Sequence, residues 1–381
     1  MKKILSVIVV VVVTLTQTAQ ITAFAQETDK PAVNAQACVL YCVDDGKVYF
    51  SVNENKKMKP ASTTKLMTSL ITLEYADSAD KVVDFTKDMT AEGSSMYLKV
   101  GEKVKLSDLA AGMMMASGND AANAAAISIA GSAEKFSELM NNRAAVIGMK
   151  NTHFVTPSGL DDENHYSTAY DMALLMSYAL ENESFAKLTS QKSVTVEFSE
   201  PQSKRTTYTN HNRLLSMYEY CTGGKTGYTM AAGRCLVSSA KKDGLTFVCV
   251  TLNDRNDWND HIALYNYGFS KLACVECDDS DYYLEIPCAG GDDESIGVTG
   301  TKGKNVVVPF DKKSNVVRTA YADNFLYAPV KDGDIVGRIV YTLDGKTLAS
   351  TNLTAVEYSN TQNKNKSIWT KIKDFFTYGK E

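Results

Sequence analysis

Apolar positions along this chain change their period several times, and each change marks an element. Residues 37–52 hold two apolar runs around Asp45-Gly46, the two-residue signal of a β-hairpin. Beyond Pro60, Leu66, Met67, Leu70, Ile71 and Leu73 recur at helical spacing, so a helix is expected to start close to Ser62. Residues 106–150 are rich in Ala and Met with the same period, and 168–190 continue as helix. Strand character returns at 192–198 and 206–210. Two further apolar runs, 233–239 and 246–252, flank Lys241-Lys242-Asp243-Gly244 and predict a second hairpin. A closing helix is expected over 260–273. From 281 to 358 the runs are short and alternating, with turn signals at Gly290-Gly291, Asp332-Gly333 and Asp344-Gly345, which reads as a small all-β module.

Strands therefore open and close the first part and helices fill its middle, the pattern of a mixed sheet with a helical cluster beside it. The expected division is a mixed α/β domain over 34–275 and an all-β domain over 278–358. The two ends carry a different message. Lys2 and Lys3, an apolar run over 4–13 and Ala23-Phe24-Ala25 have the layout of a secretory signal peptide over 1–25, with the mature chain starting near Gln26. The run is shorter than the roughly 20 residues that span a bilayer, so export rather than anchoring is expected. At the other end, Ile368, Trp369, Ile372, Phe375 and Phe376 share one helical face, with Lys364, Lys366, Lys371 and Lys373 nearby. That is the composition of an amphipathic helix over 363–381 lying on a membrane surface.

Composition sharpens this only in places. Of the 381 residues, 44% are hydrophobic and 22% charged, values of a folded chain rather than a disordered one. The net charge of −5 argues against a nucleic-acid partner. Eight Cys in an exported chain raise the question of disulfides. Cys38, Cys42, Cys235 and Cys249 sit in apolar strand-like runs, where a free thiol packs as a small hydrophobe. Cys274-x-x-Cys277 has no second pair and reads as incidental, so neither metal nor cofactor is expected. Cys221, four residues before Lys225, is a candidate reactive thiol.

The chemistry rests on three short motifs. In Ser62-Thr63-Thr64-Lys65, positions i and i+3 share a helical face, which puts the amine within reach of the hydroxyl. A serine needs a base, and a lysine serves as one only when its pKa is lowered by burial or a neighbouring cation. Alone the tetrad means little, because six Ser-x-x-Lys tetrads occur, starting at Ser62, Ser78, Ser132, Ser184, Ser238 and Ser239. Ser117-Gly118-Asn119 lies between two helical stretches, where a short loop points both polar side chains the same way. Its plainer reading is a helix cap. Lys225-Thr226-Gly227 is the single K-T-G and occupies a strand: Lys225 offers a fixed cation and Gly227 a close approach to the backbone. Its plainer reading is a turn with a solvated lysine. The order S-x-x-K, S-x-N, K-T-G is the set shared by penicillin-binding proteins and class A β-lactamases.

With these motifs in place, the chain resembles the low-molecular-mass penicillin-binding proteins, the D-alanyl-D-alanine carboxypeptidases, over roughly 35–275 and more loosely beyond. Stretches beginning at Pro60, Glu92, Ser117, Thr152, Ser158, Ser167 and Gly224 carry the likeness. The resemblance implies a β-lactamase/penicillin-binding-like catalytic domain built on an antiparallel sheet and a helical cluster. It implies Ser62 as acyl-ester nucleophile, Lys65 as its base, and Ser117 and Asn119 as the middle motif. Lys225, Thr226 and Arg255 would hold the substrate carboxylate, and the backbone N–H groups of Ser62 and Tyr228 the oxyanion. It implies peptidoglycan stem peptides as substrate, β-lactams as covalent inhibitors and a C-terminal membrane anchor.

Three other readings compete. A class A β-lactamase also needs a deacylating Glu, whose usual E-x-x-L-N setting is absent. A catalytically inert wall-binding protein predicts damage to the trio, and none is seen. A transpeptidase or endopeptidase is chemically close and stays open.

Overall fold

The structure is a computed structural model and describes residues 30–356 apart from 292–293. The signal peptide expected over 1–25 and the tail expected over 363–381 lie outside the described residues. Two compact units emerge: one formed mainly by Val48–Ala240 and Phe247–Gly268, the other mainly from Phe269 onward.

The first unit opens with β1 (Ala37–Cys42) and β2 (Lys47–Val52), the hairpin expected around Asp45-Gly46. A 3₁₀ turn, Ala61–Thr64, leads into α1 (Lys65–Ser78). Every residue of α1 from Lys65 to Leu73 is buried, so this helix is the hub of the helical cluster. Two short strands follow, β3 (Val82–Asp84) and β4 (Lys103–Lys105). Then come α2 (Leu106–Met115), α3 (Asn119–Ala130), α4 (Ala133–Ile147), α5 (Ala169–Ala179) and α6 (Glu183–Thr189). The helix expected over 168–190 is thus two. Asn182 breaks it, its side chain accepting from Phe185 N as the cap of α6. A small hairpin, β5 (Ser193–Glu197) with β6 (Arg205–Thr209), precedes the short α7 (Leu214–Met217).

The main sheet is completed by β7 (Cys221–Thr229), β8 (Gly233–Lys242) and β9 (Leu245–Leu252), in the order β2-β1-β9-β8-β7. Tight turns join β1 to β2 and β8 to β9, and Gln36 bonds to Leu252 while Val43 bonds to Thr246, so the sheet is antiparallel throughout. The strand carrying Lys225 is therefore an edge of the sheet, where Thr189 Oγ1 accepts from Gly224 N. α8 (Asp257–Lys271) packs back on the sheet through His261, which bonds Ser238 and Thr251.

The second unit starts with β10 (Leu272–Val275). It continues with β11 (Tyr283–Ala289), β12 (Ser295–Gly300), β13 (Val306–Pro309), β14 (Val317–Ala322), β15 (Leu326–Tyr327), β16 (Ile335–Leu343) and β17 (Lys346–Val356). Six of these form one sheet, β14-β16-β17-β12-β11-β15, and β10 pairs with β13. Its core gathers Cys277, Ile286, Val298, Ile339, Tyr341 and Leu353. Cys277 is fully buried there, so one half of the C-x-x-C pair packs as a hydrophobe.

Candidate active site

Ser62 sits in the 3₁₀ turn that feeds α1. The residue before it, Ala61, is buried with a φ of 48°, a left-handed conformation that a non-glycine residue holds only when its surroundings enforce it. The enforcement is visible. A β-carbon on Gly159 would stand 2.0 Å from the Ala61 carbonyl oxygen, and one on Gly227 would stand 2.9 Å from Ser62 N. The turn is thus pressed between the loop before His165 and the edge strand β7. Gly227 was expected to let substrate approach the strand; its tighter constraint is the backbone of the Ser62 turn.

Lys65, one turn on, is fully buried. Its Nζ lies 3.0 Å from Ser62 Oγ, 2.7 Å from Asn119 Oδ1 and 2.6 Å from the Ser158 carbonyl oxygen. Burial and the nearby Lys225 cation hold its pKa well below the ordinary lysine range. Asn119 opens α3, and its amide nitrogen donates to Glu92 O at 2.6 Å. The next residue, Asp120, accepts from Met96 N and Leu98 N, which ties the 92–98 stretch beside the site.

Ser117, in the loop between α2 and α3, also has a left-handed φ, of 56°. Its Oγ accepts from Lys225 Nζ at 3.0 Å, and the same Nζ donates to Thr226 O at 2.8 Å. Lys225 is buried rather than solvated, and burial pushes its pKa down to about 7. Ser62, Ser117, Thr226, Gly227 and Tyr228 line one cleft of about 520 Å³. Two buried lysines behind it, each on a different serine, form a chain from Ser62 through Lys65 and Asn119 on one side and from Ser117 to Lys225 on the other.

One expected residue is displaced. Arg255 is exposed and does not line the cleft. Arg234 does, together with Asp257 and Trp258. Its guanidinium grips the buried Asp257 carboxylate through Nη2 at 2.7 and 2.8 Å and Nε at 3.1 Å, and lies 5.7 Å from the Trp258 ring centroid. Among the described residues, no side chain pairs with its Nη1. The register of the β7–β8 hairpin explains the placement: Arg234 stands directly opposite Tyr228. Counting back through the turn at 230–233 would have found it.

His211 and Ser94 also line the cleft and were not expected. Burial and the Lys225 charge lower the His211 pKa. Behind the Ser62 turn, His165 bonds Thr64 Oγ1 at 2.9 Å through Nε2. Its Nδ1 accepts from Val155 N and Thr156 N, so the ring is neutral with its proton on Nε2. Cys221 is not the reactive thiol expected. It does not line the cleft, and burial raises its pKa to about 11, which leaves little thiolate. All eight cysteines are unpaired.

Residues 24–256 match the family described as D-alanyl-D-alanine carboxypeptidase, and 278–359 match the C-terminal domain of penicillin-binding protein 5. The chain belongs to the D-alanyl-D-alanine carboxypeptidase family. Among curated relatives, D-alanyl-D-alanine carboxypeptidase DacF of Bacillus subtilis is 32% identical over 94% of each chain. DacC of Escherichia coli is 34% identical over 88% of this chain and 87% of its own. The solved penicillin binding protein 5 of Haemophilus influenzae superposes with a TM-score of 0.65 at 29% identity, covering 86% of this chain and 98% of its own. A carboxypeptidase of this family is a serine hydrolase and a low-molecular-mass penicillin-binding protein, and the enzyme has that activity.

Proposed function

We propose that Ser62 attacks the carbonyl carbon between the last two D-alanines of a peptidoglycan stem peptide. The Lys65 amine carries this reading. A neutral amine has two N–H bonds and one lone pair. Asn119 Oδ1 and the Ser158 carbonyl accept the two N–H bonds, so the lone pair is left for the Ser62 hydroxyl at 3.0 Å. As the Oγ–carbon bond forms, the hydroxyl proton passes to Lys65 and negative charge builds on the carbonyl oxygen. The backbone N–H groups of Ser62 and Tyr228, both at the cleft, are the donors assigned to it.

Collapse breaks the carbon–nitrogen bond, and the proton that Lys65 took from Ser62 passes by way of Ser117, which Lys225 orients, to the departing amine of the terminal D-alanine, leaving Lys65 neutral. Water then attacks the acyl ester as Lys65 accepts its proton, and when the carbon–Oγ bond breaks Lys65 returns that proton to Ser62 Oγ and the shortened peptide leaves. The substrate's terminal carboxylate meets Thr226 and the Arg234 guanidinium, which line the cleft, rather than Arg255. A β-lactam enters the same path and stops at the ester.

Fluorescent penicillin should label the protein, and Ser62→Ala should abolish both labelling and D-alanine release from a pentapeptide. Label that persists at another residue of the variant refutes the assignment. Supplying an amine acceptor and a cross-linked muropeptide in parallel separates hydrolysis from transpeptidase and endopeptidase use of the same ester.

The tail from 363 is proposed to hold the enzyme on the outer surface of the cytoplasmic membrane, on the strength of its amphipathic face and four lysines. Among the described residues no helix is long and apolar enough to cross a membrane. Truncation after Asn360 should move the enzyme to the soluble fraction with activity on small peptides intact; a truncated enzyme that stays with membranes removes this role.

A further inference from the structure

The all-β unit carries a groove of about 390 Å³ that the peptidase reaction does not use. Its floor is a row across three neighbouring strands. Tyr321 on β14 stands opposite Arg338 on β16, and Arg338 stands opposite Asn352 on β17. In a sheet such directly opposed residues point to the same face. The face is the outer one, because the alternate residues Ile339 and Leu353 belong to the core.

Ile335 and Asp323 complete the groove. A break in the β16–β17 register between Ile335 and Gly337 marks a bulge at its end, the device by which strands re-aim side chains beside binding sites. Gly337 is needed there: a β-carbon would stand 2.4 Å from the Tyr321 carbonyl oxygen. Among the described residues, no side chain pairs with the Tyr321 hydroxyl, the Arg338 guanidinium, the Asp323 carboxylate or the Asn352 amide. An arginine and an aspartate share this groove without an ion pair, and Arg338 stands between the Asn352 amide and the Tyr321 ring, which is 55% exposed.

We propose that this groove binds the polysaccharide of peptidoglycan, a strand of β-1,4-linked N-acetylated aminosugars. The chemistry matches point by point. A pyranose has an apolar face of C–H bonds that stacks on an aromatic ring, and Tyr321 presents one with little conformational freedom to lose. Its rim of hydroxyls and acetamido groups both donates and accepts. Arg338 donates, Asp323 accepts, and Asn352 does both. The volume lies in the range of roughly 300–1,000 Å³ typical of small-ligand sites. A phosphate or nucleic-acid backbone fits less well, since Asp323 offsets the lone arginine. A protein partner seeking an apolar patch would find a charged centre.

The site gives the second unit a purpose within the carboxypeptidase reading on which it rests. Stem peptides hang from the glycan, so a weak hold on the strand raises the effective concentration of peptide at Ser62 without any new contact in the cleft.

The full-length enzyme and its Tyr321→Ala/Arg338→Ala variant are compared on three substrates: peptide-free glycan strands, insoluble peptidoglycan and a soluble pentapeptide. The variant should lose co-sedimentation with the glycan. It should release D-alanine from the insoluble polymer roughly tenfold more slowly and match the parent on the pentapeptide. Equal glycan binding by both proteins overturns the proposal. So does slower turnover of the polymer with glycan binding intact, which points to a protein partner instead. Should the variant be damaged, an NMR titration of the parent with the N-acetylglucosamine tetramer decides: shifts confined to β14, β16 and β17 support the site, and their absence overturns it. If neither protein releases D-alanine from the pentapeptide, the peptidase reading fails while the glycan measurement still stands or falls alone.

Discussion

Gly227 lies so close to Ser62 that a β-carbon on it would stand 2.9 Å from the Ser62 backbone nitrogen and 3.0 Å from that of Thr63. Real β-carbons essentially never approach backbone so closely, so one of the two elements must move. The edge strand is tied to β8 over nine residues, whereas the 3₁₀ turn is only four residues long. Gly227→Ala is therefore expected to displace the Ser62 turn. A shift on the order of 1 Å at a reacting group lowers rate by about 10²-fold. Penicillin acylation measured by stopped flow should fall by that order while the far-ultraviolet circular dichroism is unchanged. Acylation at the parent rate would show that the turn is not positioned by this contact.

Arg234 and Arg255 make opposite predictions. Arg234 lines the cleft and is held by the buried Asp257; Arg255 is exposed and does not line it. A charge-assisted hydrogen bond is worth about 1.5–3 kcal/mol, roughly a 10- to 100-fold effect. Arg234→Ala should lower kcat/KM on a pentapeptide by that factor, mainly through KM. Arg255→Ala should leave it unchanged. The reverse pattern would restore Arg255 as the carboxylate partner.

These two arginines also show what the sequence makes legible and what it does not. The trio starting at Ser62, Ser117 and Lys225 is readable because each motif is a short run of residues in a fixed order, although only the Lys65–Ser62 contact is local and those of Lys65 with Asn119 and of Lys225 with Ser117 span 54 and 108 residues. Both hairpins of the main sheet are readable for the same reason, through Asp45-Gly46 and Asp243-Gly244. Arg234 depends on strand register: only pairing β7 with β8 places it opposite Tyr228. Lys65 as a neutral base depends on burial by elements far along the chain, including the Ser158 carbonyl. The break at Asn182 was hidden because both helices it separates keep apolar periodicity, and a single cap outweighs it. The thiol of Cys221 looked available from its nearness in sequence to Lys225, but burial decides its chemistry.

Activity should depend on both lysines, with opposite signs. Burial and the Lys225 charge depress the Lys65 pKa well below the lysine range, which favours its neutral, basic form, and protonation removes activity on the acid side. Lys225, depressed to about 7, is a cation below that value and neutral above it. If its charge orients Ser117 and supports the substrate carboxylate, kcat/KM should fall above about pH 7. Bound carboxylate stabilises the cation, so the same limb should lie at higher pH in kcat. Lys225→Gln should remove the basic limb, lower activity, and raise the acid limb because Lys65 loses its neighbouring charge. An unchanged basic limb in that variant would assign it to another group.

Acid stability should reveal His165, the buried ring behind the Ser62 turn. Its pKa falls from 6.5 to about 4 on folding, because burial disfavours the cation and both ring nitrogens are committed. Between those values the unfolded chain binds the extra proton, so stability is full above about pH 6.5 and declines as pH falls through the window. The decline reaches on the order of 3 kcal/mol by pH 4. His261, lowered to about 3, adds a contribution of the same sign. Asp108 and Asp254, each raised to about 6, act in the opposite sense, since their folded forms hold protons that the unfolded chain releases. Comparison with His165→Gln cancels these shared contributions. Gln supplies an oxygen to the Val155 and Thr156 N–H groups but takes up no proton. The variant should be less stable than the parent at pH 7, and the gap should narrow or reverse by pH 4 in urea unfolding. A gap that stays constant with pH would mean that His165 is protonated in the folded enzyme, and that the hydrogen bonds at its Nδ1 are not those of a neutral ring.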